Sequence, residues 1–174
     1  MDGPTCQTRP DARGVGDGTA TGAVPIHPPS SASSLLSYSG SLVLSPWASS
    51  VSRARSHVSA IAREWELEHL AGDIELIVSE LVTNAYEATM KLPEPQVLVL
   101  RTFVNASALH IEVWDASPGM PKLQDPTDDL PGGRGLVIVE ALSTCWGAHY
   151  GPQGGKCVWV QFARLVRQYE TQGG

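Results

Sequence analysis

The longest regular pattern in the chain runs from Leu70 to Thr89. Ile74, Ile77, Val78, Leu81, Val82, Ala85 and Ala88 recur there at the three- and four-residue spacing of a helix with one buried face. At about 100° per residue, Ile74, Ile77, Val78, Leu81, Ala85 and Ala88 share one arc, and Asp73, Glu80, Asn84 and Glu87 lie together along its edge. A polar row on the border of a buried stripe is a place where solvent, core and a ligand can meet. A solvated flank produces the same pattern.

Around this helix the rest of the pattern falls into short elements. Tyr38 to Ser45 reads as a strand centred on Leu42, Val43 and Leu44. Ser45-Pro46 reads as an N-cap and first helical residue, opening a helix to Trp65 with Val51, Ala54, Val58, Ile61 and Ala62 inward and Arg53, Arg55 and Arg63 on a solvated side. Glu66 to His69 connects it to the long helix, which Pro93 and Pro95 prevent from continuing. Gln96 to Val104 and Ala108 to Asp115 alternate as strands about an Asn105-Ala106-Ser107 turn. DASPGMP, a polar connector from Lys122 to Pro131, and GGRGLVIVEAL (Gly132 to Leu142, a glycine loop opening an apolar helix) follow. Thr144 to Tyr150 and Lys156 to Leu165 form a last hairpin around GPQGG. Antiparallel strands with helices gathered on one face predict an α+β two-layer sandwich rather than a parallel βαβ sheet.

Composition adds bounds. Residues 1–37 are rich in Gly, Pro, Ser and Thr and read as a disordered tail. Residues 38–165 read as one domain and 166–174 as a fraying end. A net charge of −6 gives no basic footprint for nucleic acid. No apolar run reaches the roughly 18 residues a membrane span needs, and the N-terminus lacks the order of a secretory signal, so the expected location is cytoplasmic. Of the three cysteines, Cys145 and Cys157 read as small reduced packing residues.

Three segments carry candidate chemistry. Glu80 and Asn84 are one helical turn apart, so a carboxylate able to act as a base sits beside an amide oxygen able to hold a hard cation such as Mg²⁺. Asp115 closes a strand before Ser117-Pro118-Gly119. A buried carboxylate there could accept from an exocyclic amine such as that of adenine, or could simply form an Asx-turn. Gly132, Gly133 and Gly135 precede a helix N-terminus, a place for phosphate or only a tight turn.

Taken in order, ELVTNA, DASPGMP and GGRGL resemble the asparagine box and the two glycine boxes of the GHKL ATPases (gyrase, heat-shock chaperone, histidine kinase and mismatch-repair type). The flanking SPWASSVSRARSHVSAIAREW and WGAHYGPQGGKCVWVQF are similar to actinobacterial members of the compact anti-sigma-factor and serine-kinase branch, the RsbW-like proteins. The resemblance spans about residues 38–165. It implies that Asn84 coordinates Mg²⁺ on the phosphates of ATP and that Glu80 is the general base toward a serine hydroxyl. It also implies that Asp115 binds the adenine amino group with Gly119 lining the ring, that Gly133, Gly135 and Leu136 open the phosphate-receiving helix, and that Lys122 to Pro131 is a short ATP lid. There are two departures from many members: Glu87 and Ala88 stand where a basic residue often follows the asparagine, and Lys156 stands in place of a threonine. Arg134 can supply a compensating positive charge.

The expected function is therefore an ATP–Mg²⁺-dependent regulatory serine kinase. Its partner would be an anti-sigma-factor antagonist, a sigma factor or both, with homodimerisation as in relatives. The competing reading is a non-catalytic module that only sequesters a protein partner.

Overall fold

A computed structural model describes residues 38–121 and 135–164. The element order is β1 (Tyr38–Leu44), α1 (Ser49–Glu64), a 3₁₀ turn (Glu68–Leu70), α2 (Ala71–Thr89), β2 (Leu98–Val104), β3 (Ala108–Asp115), α3 (Gly135–Leu142), β4 (Cys145–Tyr150) and β5 (Lys156–Ala163). The five strands form one antiparallel sheet in the order β1-β2-β3-β5-β4. The expected tails, residues 1–37 and 166–174, lie outside the described residues.

Side-chain alternation along the strands assigns the two faces. Leu98, Leu100, Val104, Leu109, Ile111, Val113, Val158, Val160 and Phe162 share one core with Ile74, Ile77, Val78, Leu81 and Val82 of α2 and with Ala54, Val58 and Ile61 of α1. α2 is the middle of the helix layer, touching α1, α3, β2 and β3. Each fully buried aliphatic side chain there contributes about 1.5–3 kcal/mol, so this contact largely fixes where Glu80 and Asn84 stand. Thr102 lies in the same core with Oγ1 buried and unpartnered among the described residues.

The opposite face of the sheet is aromatic and polar. Trp159 stacks on His110 at 5.4 Å between centroids, and Arg101 lies over the Trp114 ring at 5.4 Å. Glu112 is buried and accepts from Trp114 Nε1 at 2.8 Å. Burial pushes the Glu112 carboxyl up, but the partners His110 and Trp114 outweigh it and the net shift is downward. Cys157 is a free thiol on this face, and burial pushes its pKa well up, as a packing role requires. Cys145 is disulfide-bonded, which corrects its reading as a reduced residue.

Local chemistry explains where the elements begin and end. Ser45 does not cap α1 with its side chain. Its carbonyl instead accepts from Trp47 N at 2.8 Å and from Ser50 Oγ at 2.6 Å, and the helix begins later, at Ser49. α1 ends in a double closure, Leu67 N to Ala62 O at 2.7 Å and Glu66 N to Arg63 O at 3.4 Å. This Schellman pattern needs a left-handed residue, usually glycine, and Glu66 fills it at φ 56°. Arg55 is exposed and pairs with Glu75 at 3.5 Å, a surface contact of little energetic weight. The β2–β3 turn closes as expected, with Asn105 Oδ1 accepting from Ser107 N at 2.9 Å and Ala108 N at 2.8 Å. At the end of the sheet nearest this turn, the Arg164 guanidinium donates to Asn105 O at 2.9 Å and to Trp65 O at 3.2 Å.

Candidate functional site

Strand parity places Asp115 on the helix side of the sheet, two positions beyond Val113. Its register partner across the ladder is Lys156, the first residue of β5. Both are buried, with side chains 1% and 7% exposed, and Lys156 Nζ donates to Asp115 Oδ1 at 2.8 Å. The backbone N–H of Ser117 donates to the same oxygen at 2.8 Å and its hydroxyl at 2.5 Å. Lys156 Nζ also donates to Ser117 Oγ. Thus the Asx-turn is formed, yet it uses only one carboxylate oxygen. Oδ2 is buried and has no hydrogen-bond partner among the described residues. A buried acceptor left unpaired costs about 1–3 kcal/mol, so a donor brought to Oδ2 would recover that cost.

The hairpin before β5 makes this pair possible. Gly155 has φ 70°, and a Cβ there would stand 2.3 Å from Asp115 O and 2.9 Å from Ala116 Cα. Only glycine allows the two backbones to approach so closely. Gly119 is different: it is exposed, with no atom within 4 Å of where a Cβ would stand. The protein's own packing does not demand glycine there.

The second half of the site is on α2. Glu80 is half-buried and Asn84 exposed, one turn apart. Both reach the first residue of α3: a Cβ on Gly135 would lie 2.7 Å from Glu80 Oε2 and 3.1 Å from Asn84 Nδ2. The missing side chain of Gly135 is therefore the gap that these two groups occupy. With Nδ2 toward Gly135, Asn84 keeps Oδ1 as the oxygen a hard cation would use. Glu87, one turn on, is exposed and Ala88 is half-buried. Leu136 is 6% exposed and packs in the core, so any role for it toward a ligand belongs to its main chain.

The structure brings Glu80, Asn84 and Gly135 together and places Asp115 at the close of β3, with Oδ2 unpartnered among the described residues. Gly133, Arg134 and the connector from Lys122 to Pro131 lie outside the described residues, apart from the approach to them at Pro121. Two residues that bond Asp115 escaped the sequence reading: Lys156, noted only as a replacement for threonine, and Ser117, seen only as a turn former. The signal for Lys156 was the register of β5 against β3, which couples positions 41 apart and is not visible locally.

Among the described residues, no helix is long and apolar enough to cross a membrane. Residues 44–162 match the family model of the histidine kinase-like ATPase domain. No curated protein matches the chain.

Proposed function

Because the chain belongs to the histidine kinase-like ATPase family, whose domain binds ATP, we propose that it is an ATP–Mg²⁺-dependent regulatory serine kinase acting on an anti-sigma-factor antagonist. The observation that carries this reading is the convergence of Glu80 and Asn84 on Gly135. A base, an oxygen donor for a cation and a side-chain-free helix start meet at one point.

In this reading adenine lies against Gly119 and its amino group donates to Asp115 Oδ2. The phosphates run toward α3, where the first amides of the helix and its dipole favour anions. Asn84 Oδ1 would hold Mg²⁺, which when bound neutralises phosphate charge. Glu80 takes the proton from the serine hydroxyl of the partner protein as the oxygen bonds to the γ-phosphorus and the bond to the bridging oxygen breaks, releasing ADP. Such transfer depends chiefly on positioning and charge. The sigma factor would be the alternative partner, held inactive by the same protein, and the kinase would act in the cytoplasm, with a homodimer as the expected assembly.

Glu80→Gln tests the catalytic assignment. It should lower phosphoryl transfer by about 10²–10⁴-fold, the usual contribution of a general base, while ATP still binds. An unchanged rate removes Glu80 from the role.

The second reading, a nucleotide- or partner-binding module without catalysis, is favoured by Glu87, which adds an exposed negative charge one turn beyond Asn84. Equilibrium titration separates the two. No saturable binding at millimolar ATP with Mg²⁺ would favour the module.

A further inference from the structure

We propose that Lys156 and Ser117 set the base specificity of the site, by occupying Asp115 Oδ1 so that Oδ2 alone faces the nucleobase. The proposal rests on the nucleotide reading above and deepens it to a preference for 6-aminopurines over 6-oxopurines. Three donors converge on Oδ1, namely Lys156 Nζ, Ser117 N and Ser117 Oγ. None reaches Oδ2. A carboxylate with both oxygens free can accept two parallel N–H groups, which is what the N1–H and N2 amino group of guanine present. A carboxylate with one oxygen already saturated accepts a single donor. The exocyclic amine of adenine supplies one, with the N1 acceptor beside it rather than a second donor.

The asymmetry is built rather than incidental. Lys156 is fixed opposite Asp115 by ladder register, and Ser117 is fixed by its own N–H bond to the same oxygen. Lys156 is bonded to both Asp115 and Ser117, so the carboxylate cannot rotate to exchange its oxygens without breaking several bonds at once. Both are positioning residues: they act on the base through Asp115. Rejection of a base then arises because its second N–H is left without an acceptor, the most effective form of discrimination available to a polar site.

The test is competition against a ribose-labelled fluorescent ADP, using ADP, GDP and purine riboside diphosphate, which lacks the amino group. The full chain is used as wild type, Ser117→Ala, Lys156→Met and the double variant, with thermal melting in parallel. Wild type should prefer ADP over GDP by about 100-fold and over purine riboside diphosphate by about tenfold, the worth of one buried hydrogen bond. The double variant should bring ADP and GDP within about tenfold of each other while still binding ADP.

An ADP-to-GDP ratio that stays at the wild-type value in a folded double variant overturns the proposal. So does an equal loss of all three ligands, which is what a merely structural lysine would give. If removal of the lysine prevents folding, Ser117→Ala alone decides: a ratio narrowed by about threefold supports the proposal and an unmoved ratio overturns it. Wild-type protein that binds none of the three overturns both this proposal and the nucleotide reading. Wild-type binding with an unmoved ratio in the variants overturns this one only.

Discussion

At the end of the candidate site proposed to take the base, Lys156 and Ser117 hold one carboxylate oxygen of Asp115, and both are buried. At the end proposed to take the phosphates, Glu80 and Asn84 stand half-buried and exposed, with no side-chain hydrogen bond or ion pair among the described residues. The first end is already bonded without a ligand, with one buried acceptor, Asp115 Oδ2, unpartnered among the described residues. The second is an arrangement of unpartnered groups around a missing side chain. In the proposed reading, preorganisation at the base end would give selectivity, because a fixed geometry does not adapt to a wrong base. In the same reading, looseness at the phosphate end would leave room for a cation and for phosphates that change during a reaction.

The contrast can be broken most severely at Gly155. Gly155→Ala places a methyl group against the Asp115 backbone at a left-handed φ, which should cost about 3 kcal/mol or more. Scanning calorimetry should show a melting temperature lower by roughly 10 °C, and adenosine binding should disappear with it. A small shift would mean that the hairpin relaxes freely and the base end is not rigid.

Chelation of Mg²⁺ should act on the other end alone. Loss of a cation contact at Asn84 should weaken ATP by about ten- to hundredfold, the worth of a charge-assisted contact. Adenosine, which reaches only the base end, should bind unchanged by isothermal titration. Equal losses for both ligands would show that the ends are not separable.

Gly135→Ala is a milder probe of the phosphate end. The new methyl group meets the tip of the Glu80 side chain and the Asn84 amide, and these can swing aside where backbone cannot. ATP affinity should fall about fivefold to tenfold, with the melting temperature moving only a few degrees. The smallest effect is expected away from both ends. Glu66→Gly relieves the left-handed C-cap of α1 and should stabilise the fold by about 0.5–1 kcal/mol without altering nucleotide affinity. Denaturant unfolding measures the first quantity and titration the second.

Much of this architecture was legible from periodicity. The apolar arc of α2, the alternation of β2 and β3 and the Asn105 turn each come from neighbours in sequence, and each formed close to its expected bounds. Errors gathered where a side chain had a tertiary alternative. Ser45 gave its carbonyl to Ser50 instead of capping a helix, and Cys145 entered a disulfide. The candidate site was legible as residue types on a helix edge, at a strand end and in a glycine turn. What pattern could not show was that Asp115 would face Lys156, because ladder register over a long sequence separation depends on how the whole sheet closes. Nor could it show which carboxylate oxygen would be left open.

β5 has a different fastening at each extremity. Past its last residue, Arg164 bolts the sheet to the carbonyl that ends α1. Near its first residue, β5 has no such side-chain tie to a helix among the described residues; Lys156 bonds Asp115 and Ser117 instead. A nucleotide seated between Asp115 and Asn84 would be the second bolt, turning a beam clamped on one side into one clamped on both, so occupancy would be felt as stiffness across the whole molecule.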